Sequence, residues 1–226
     1  MNMAMPHRDE ASVSRVGIAI LAKAPIPGLA KTRLIPRLGA EGAALLQHWL
    51  LQRTLSTAIM ADIGPVTLWC APDEKHPAFA ACRTERPTAL KAQPEGDLGK
   101  RMLTALQAST SPQGTLVIGT DCAVLTPALL RHAARSLMTH DAVVVPAEDG
   151  GYVLIGMREA HAGVFENVAW STATVMAETR QRFSTLGWSV DELPACWDVD
   201  LAADFDRLCR HDPAVARYLL GNGAST

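Results

Sequence analysis

Val16-Gly-Ile-Ala-Ile-Leu-Ala-Lys-Ala-Pro-Ile-Pro-Gly-Leu-Ala-Lys-Thr-Arg-Leu34 decides how the chain is read. The apolar run Val16–Ala22 reads as a buried strand. A loop stiffened by Pro25 and Pro27 follows, and Gly28 permits a tight turn or a close backbone approach. Lys23 opens this loop, and Lys31 and Arg33 close it. Three cations at the mouth of a first strand suit a di- or triphosphate, which needs several positive partners at once. The plain alternative is a solvated surface loop. A Walker A loop is excluded, because aligning on Lys31-Thr32 puts Pro25 and Ala30 where that motif needs glycine.

Working outward, strand and helix patterns alternate. A helical pattern over about Glu41 to Ala61 ends at Gly64-Pro65, and Val66–Cys70 reads as the next strand. A short helix near Pro77–Arg83, a short strand Ala89–Gln93 and a helix over Asp97–Ala108 come next. Thr115–Gly119 is an apolar strand, Pro127–Met138 a helix capped by Thr126, and Ala142–Val145 and Gly151–Gly156 are further strands. Trp170-Ser171-Thr172 is expected to cap a helix running to about Leu186. Trp188–Leu193 reads as an edge strand, and Asp200 as the start of a closing helix. Such alternation predicts an α/β fold with a mainly parallel sheet and helices on both faces, whose ligands bind beyond the carboxyl ends of the strands.

Composition narrows the classes. The chain has 226 residues, 48% hydrophobic content and a net charge of −2. That allows a substantial core and disfavours general nucleic-acid binding. Five scattered cysteines without a Cys-x-x-Cys argue against a disulfide framework or structural zinc, and for a reducing compartment. Residues 1–15 lack the apolar centre of a signal peptide, and Val16–Ala22 is too short to span a bilayer. The expectation is a cytoplasmic protein with a disordered tail at 1–15, one domain over 16–220 and a frayed end at 221–226. Nothing in the sequence sets an oligomeric state.

Several carboxylates could do chemistry. Asp121 follows the 115–119 strand and could bind Mg²⁺ or Mn²⁺, or could cap a turn. Asp198 and Asp200 point the same way if their segment is extended, and so could close a metal site with Asp121. Asp200 is favoured for that role ahead of Asp198, although it could be an ordinary helix cap. Glu148, Asp149, Gly150, Gly151 and Tyr152 form a strong hairpin signal whose tip could also line a pocket and face an acceptor. Gly96 and Gly99 could free a helix start for a phosphate, or Asp97 could simply cap it. Trp170 could roof a pocket beside Ser171 and Thr172, or sit in the core. The histidines show no zinc spacing, and no Gly-x-Ser-x-Gly elbow is present.

Taken together, Ala22–Leu34, Gly96–Met102, Gly119–Cys122, Pro146–Gly156, Trp170–Thr172 and Asp198–Asp200 resemble a bacterial family of the GT-A superfamily. Its members carry a domain of unknown function and are known as "transferase 1, radical-SAM/selenodomain-associated" proteins or glycosyltransferases. The resemblance runs from about Val16 to Leu208. It implies a three-layer αβα sandwich of the nucleotide-diphospho-sugar transferase (GT-A) type, similar to molybdenum-cofactor and 2-phospholactate guanylyltransferases. It also implies a phosphate role for Lys23, Lys31 and Arg33 and a metal role for Asp121. Ala123 stands where the family usually has proline, and Leu201 where it usually has threonine.

The expected function is a Mg²⁺- or Mn²⁺-dependent transferase. Its donor would be a nucleoside triphosphate or a nucleotide sugar, and its acceptor a small molecule. Lys31, Arg33 and Asp121 would carry the chemistry by holding charge that develops on a departing phosphate. The single carboxylate of Asp121-Cys122-Ala123, where a glycosyltransferase would show Asp-x-Asp, leaves glycosyl and nucleotidyl transfer both open. A non-catalytic nucleotide-binding or sensing module is the alternative.

Overall fold

The computed structural model describes residues 15–82, 88–109 and 111–223. Seven strands form one sheet: β1 (Gly17–Lys23), β2 (Val66–Ala71), β3 (Ala89–Ala92), β4 (Thr115–Gly119), β5 (Ala142–Pro146), β6 (Tyr152–Met157) and β7 (Val190–Glu192). Their spatial order is β3-β2-β1-β4-β6-β5-β7. All neighbouring pairs are parallel except those made by β6, the return strand of the hairpin after β5.

The helices are α1 (Ile35–Ala61), α2 (Pro77–Ala80), α3 (Leu98–Gln107), α4 (Pro127–Ser136), α5 (Val175–Thr185), α6 (Ala202–His211) and α7 (Pro213–Gly223). No described helix is long and apolar enough to cross a membrane. Along β1 the side chains divide by parity. Ile18, Ile20 and Ala22 enter one core beside α1 and α4, while Ala19 enters another beside α3 and α5. Both faces of the strand are covered, which is why it reads as an unbroken apolar run. The result is a three-layer α/β architecture.

A third apolar cluster joins the start of α1 to the end of the chain. Leu34, Leu46 and Leu50 pack with Trp197, Val199, Phe205, Leu208 and Val215, tying α1 to α6, α7 and the 197–199 segment. From β1 the chain moves to β2 on one side, and only later fills β4 on the other. The carboxyl ends of β1 and β4 therefore flank a topological switch point, where open α/β sheets form their ligand crevice.

Several sequence expectations shift. Helix α1 begins at Ile35 rather than Glu41, with a break at Gly39 (φ 71°). Helix α5 begins at Val175, so Trp170-Ser171-Thr172 lies in the preceding loop and does not cap it. Helix α6 begins at Ala202, and Asp200 is not its cap. The terminal backbone amides of Asp200 and Leu201 instead donate to Asp204 Oδ2 at 3.2 and 2.7 Å. A threonine at 201 could have accepted from the first-turn amides; leucine cannot, and Asp204 secures the helix entry from the other direction. Helix α7 continues to Gly223, into the segment expected to fray. Residues 1–14, Arg83 and 224–226 lie outside the described residues.

Candidate functional site

The loop after β1 is shaped by its own backbone and anchored by its end. Leu29 and Ala30 amides both donate to Ile26 O, at 3.0 and 2.9 Å, folding residues 26–30 into a compact turn. Ala30 and Leu34 are buried, and Leu34 plugs into the third cluster. Lys31 between them adopts a left-handed backbone (φ 47°, ψ 46°), uncommon for a residue with a β-carbon. That conformation turns its side chain inward. Lys31 Nζ donates to Val199 O at 2.6 Å and pairs with Asp121 Oδ1 at 2.7 Å.

Asp121 and Asp198 reach the same place from two other segments. Val199 N donates to Asp121 O at 2.9 Å, joining the loop after β4 to the segment before α6. Along that segment Trp197 and Val199 are buried, while Asp198 and Asp200 are partly exposed. The alternation is that of an extended strand, so the two carboxylates share a side. The Asp198 carboxyl is pushed up to about 6, first by burial and then by the charges of Asp149 and Asp121. Arg33 is hydrogen-bonded to Asp200 instead. The Arg33 side chain is 66% exposed, so this pair is worth only about 0–1 kcal/mol. Lys31, at 4% exposure, is fixed.

The remaining expected residues divide. Lys23 sits exposed at the end of β1, and Gly28 (φ 80°) in the open loop after it. Asp149 Oδ1 accepts from Gly151 N at 3.0 Å, shaping the hairpin tip. Gly150 (φ 94°) is there for close packing, since a β-carbon would lie 2.2 Å from Ala173 O. Glu148 is engaged by Arg207 through two hydrogen bonds of 2.7 and 3.1 Å, which holds its carboxyl below the ordinary range. Arg207 also covers the Trp197 ring. Glu148 thus ties the hairpin to α6.

Tyr152 turns inward, its hydroxyl 3.8 Å from Met102 Sδ, and packs on the second core. Trp170 stacks on Phe165, and a β-carbon at Gly99 would lie 2.6 Å from its ring. Gly99 therefore makes room for the indole at the start of α3, while Asp97 caps that helix through Lys100 N at 2.8 Å. Gly96 (φ 122°) precedes that cap in the chain. Ser171 has a left-handed backbone, and Thr172 Oγ1 donates to Ala169 O at 2.7 Å. A depression of about 400 Å³ beside α5 shares none of these residues.

One residue absent from the sequence reading lies beneath the site. Gln47 of α1 is buried, and its Nε2 donates to Lys23 O and Thr120 Oγ1. Its neighbours Ala43, Leu50 and Leu51, one turn away in either direction, are all buried; a glutamine within that apolar stripe was the available signal.

Among the described residues, no group of three or more His, Cys, Asp or Glu is arranged to hold a metal by itself. The charges of Asp121 and Asp198 interact, and carboxylate oxygen is the donor that Mg²⁺ and other hard cations prefer. Burial and then the charges of Asp149 and Asp121 raise Asp198, and a bound cation would relieve the repulsive part.

Two thiols border the same loops. A hydrogen bond from Cys122 pulls the Cys196 thiol below its ordinary value and pushes Cys122 up, with burial adding to the latter. Burial raises Cys70, Cys82 and Cys209 as well. Iodoacetamide at neutral pH is therefore expected to label Cys196 first, read by peptide mass spectrometry. Earlier labelling of Cys209 would contradict this ordering.

The fold has known counterparts. A candidate nucleotide-diphospho-sugar transferase from Desulfovibrio desulfuricans G20 superposes with a TM-score of 0.82 at 28% identity, covering 93% of this chain and 96% of that one. The protein Rv0371c of Mycobacterium tuberculosis H37Rv, in complex with manganese, gives a TM-score of 0.53 at 19% identity, covering 86% and 98%. CMP:2-keto-3-deoxy-manno-octonic acid synthetase complexed with CTP gives 0.55 at 12% identity, covering 89% and 99%. At these last two identities the likeness is one of fold alone. No curated protein matches the sequence. The sequence profile of DUF2064, described as an uncharacterized protein conserved in bacteria, matches residues 54–172, just over half of the chain, and the chain belongs to that family.

Proposed function

We propose that the protein is a divalent-metal-dependent transferase that uses a nucleotide-activated donor. The observation that carries this is the meeting of Lys31, Asp121 and Asp198 at the crevice between the carboxyl ends of β1 and β4. The resemblance to the Desulfovibrio protein and the fold shared with a CTP-bound synthetase and a manganese-bound protein support it.

In this reading Asp121 and Asp198 hold Mg²⁺ or Mn²⁺. Asp198 takes the second place, because its charge interacts with that of Asp121. The cation, when bound, supplies positive charge to the oxygens of the transferred or departing phosphate. Lys31, with one N–H left after its two protein contacts, donates to the same phosphate from a fixed position. Arg33 leaves Asp200 and closes over the outer phosphate, and Lys23 adds charge at the rim. The hairpin tip at Asp149–Gly151 faces the acceptor. Five unpaired cysteines fit a reducing compartment such as the cytoplasm.

The test is a thermal-shift screen of nucleoside triphosphates and nucleotide sugars with Mn²⁺, followed by product analysis. A donor at about 100 times its dissociation constant adds about 2.7 kcal/mol of stability. Pyrophosphate release identifies nucleotidyl transfer, and nucleoside diphosphate release identifies glycosyl transfer. Binding without either product over hours would replace the enzyme with a sensing module. The absence of any nucleotide shift would overturn the reading.

A further inference from the structure

We infer that Gln47 and Thr120 are positioning residues that fix which oxygen of Asp121 faces the cation. This rests on the metal role proposed for Asp121 and adds to it a hydrogen-bonded relay from the buried face of α1.

The relay is directional. Gln47 Nε2 lies 3.2 Å from Lys23 O and 3.1 Å from Thr120 Oγ1. A carbonyl oxygen only accepts, so the amide nitrogen, not the amide oxygen, faces this pair. Its two hydrogens are then committed, one to each partner. Thr120 Oγ1 accepts from Gln47 and directs its own hydrogen to Asp121 Oδ1, 3.4 Å away. Lys31 Nζ donates to the same Oδ1 at 2.7 Å. Two donors on Oδ1 leave Oδ2 as the oxygen offered to a ligand. The Asp121 side chain is 50% exposed, so that offer faces solvent.

The position of the relay explains why it is needed. Strands β1 and β4 stay in register only as far as Leu21 and Gly119. Beyond that pair they part, and the ligand crevice opens. Lys23 O belongs to the last residue of β1, and Thr120 is the first residue after β4. Gln47 therefore bridges the two strands where their own hydrogen bonding ends. Gln47 and Thr120 are 3% and 4% exposed, so water does not compete for either contact. Outer groups of this kind orient the groups that touch a metal, and their loss typically weakens metal binding by about 10- to 100-fold.

The test is Mn²⁺ titration by electron paramagnetic resonance, without nucleotide, on the full chain. Thr120→Val keeps the shape and removes the hydroxyl. It is expected to weaken Mn²⁺ binding by about tenfold. Thr120→Ser restores the hydroxyl and is expected to bind within about twofold of wild type, on the same reasoning. Gln47→Met removes both amide donors, and adding it to Thr120→Val should cost little more, because both act through one relay. Near-UV circular dichroism confirms the fold of each variant, and the Thr120 pair suffices if Gln47→Met does not fold.

Wild-type Mn²⁺ affinity in Thr120→Val would overturn the inference, and so would equal losses in the valine and serine variants. Asp121→Asn separates the two levels. If it alone loses Mn²⁺ while Thr120→Val binds normally, the relay fails and the metal site stands. If Asp121→Asn binds Mn²⁺ normally, the metal site fails and the relay falls with it.

Discussion

Lys31→Met is expected to weaken donor binding by at least about 100-fold, or about 2.7 kcal/mol, while lowering stability by only about 1–2 kcal/mol. Two facts set these sizes. The Lys31 ammonium is buried and joins three segments, through its own loop, Asp121 Oδ1 and Val199 O. Removing one partner of a fully buried pair typically costs about 3–5 kcal/mol, because a charge is stranded. Here the partner is half exposed, so water takes over the Asp121 carboxylate and the penalty shrinks. The loss to the donor is not cushioned, because the fixed cation facing the phosphate is gone.

Lys31→Arg should not rescue binding, since a planar fork does not fit the slot of a compact ammonium. Arg33→Ala is the contrast: its exposed pair with Asp200 contributes little to the fold, so affinity should drop without a change in melting temperature. Calorimetric titration of the donor found in the screen, together with thermal melts, reads both quantities. Unchanged donor affinity in Lys31→Met would reduce Lys31 to a structural staple.

Much of the frame behind this site was legible in the sequence, for physical reasons. The strands at 17–23, 115–119 and 142–146 are covered on both faces, so their residues form continuous apolar runs. The β5–β6 hairpin was marked by Asp149-Gly150-Gly151 between two such runs. The errors came where tertiary contacts overrule local signals. Trp170-Ser171-Thr172 looks like a helix start, but the indole is held by Gly99 and Phe165, and α5 begins only at Val175. Asp200 looks like a cap, but its carboxylate is taken by Arg33 and its amide by Asp204.

The centre of the site rests on contacts no local pattern encodes. Lys31 and Asp121 were each legible as strand-end residues, but not their pairing. Glu148 is legible as a hairpin-tip carboxylate, but not its pairing with Arg207 of α6. Gln47 was missed because one glutamine in a helix usually faces water. Only the strands that part above it show what its amide must satisfy.

Asp198→Asn should raise the melting temperature of the metal-free protein at pH 7.5 and abolish the further rise that Mn²⁺ gives. The sign follows from proton linkage. The folded carboxyl is pushed up to about 6 from an ordinary 3.8, chiefly by burial and then by Asp149 and Asp121. Between those two values the unfolded chain has released its proton while the folded one still holds it, so stability falls as pH rises through this window. Above about pH 6 the cost is constant, and below the ordinary value it vanishes. Asparagine removes the cost, so its benefit is present at pH 7.5 and absent near pH 3.5.

Asp198 is partly exposed, and screening reduces the gain to about 1 kcal/mol, or about 2–4 °C for a chain of this size. A cation acts in the opposite sense. It binds the ionised carboxylate, so Mn²⁺ affinity of the wild type should decline as pH falls through about 6, and most of that affinity should be lost in the variant. A carboxylate that merely supports the fold gives a lower melting temperature with or without metal. One that repels its neighbours until a cation arrives gives a higher temperature without metal and a lost response with it. Thermal melts of wild type and Asp198→Asn at pH 3.5 and 7.5, each with and without Mn²⁺, distinguish the two, and a lowered metal-free melting temperature at pH 7.5 would remove Asp198 from the site.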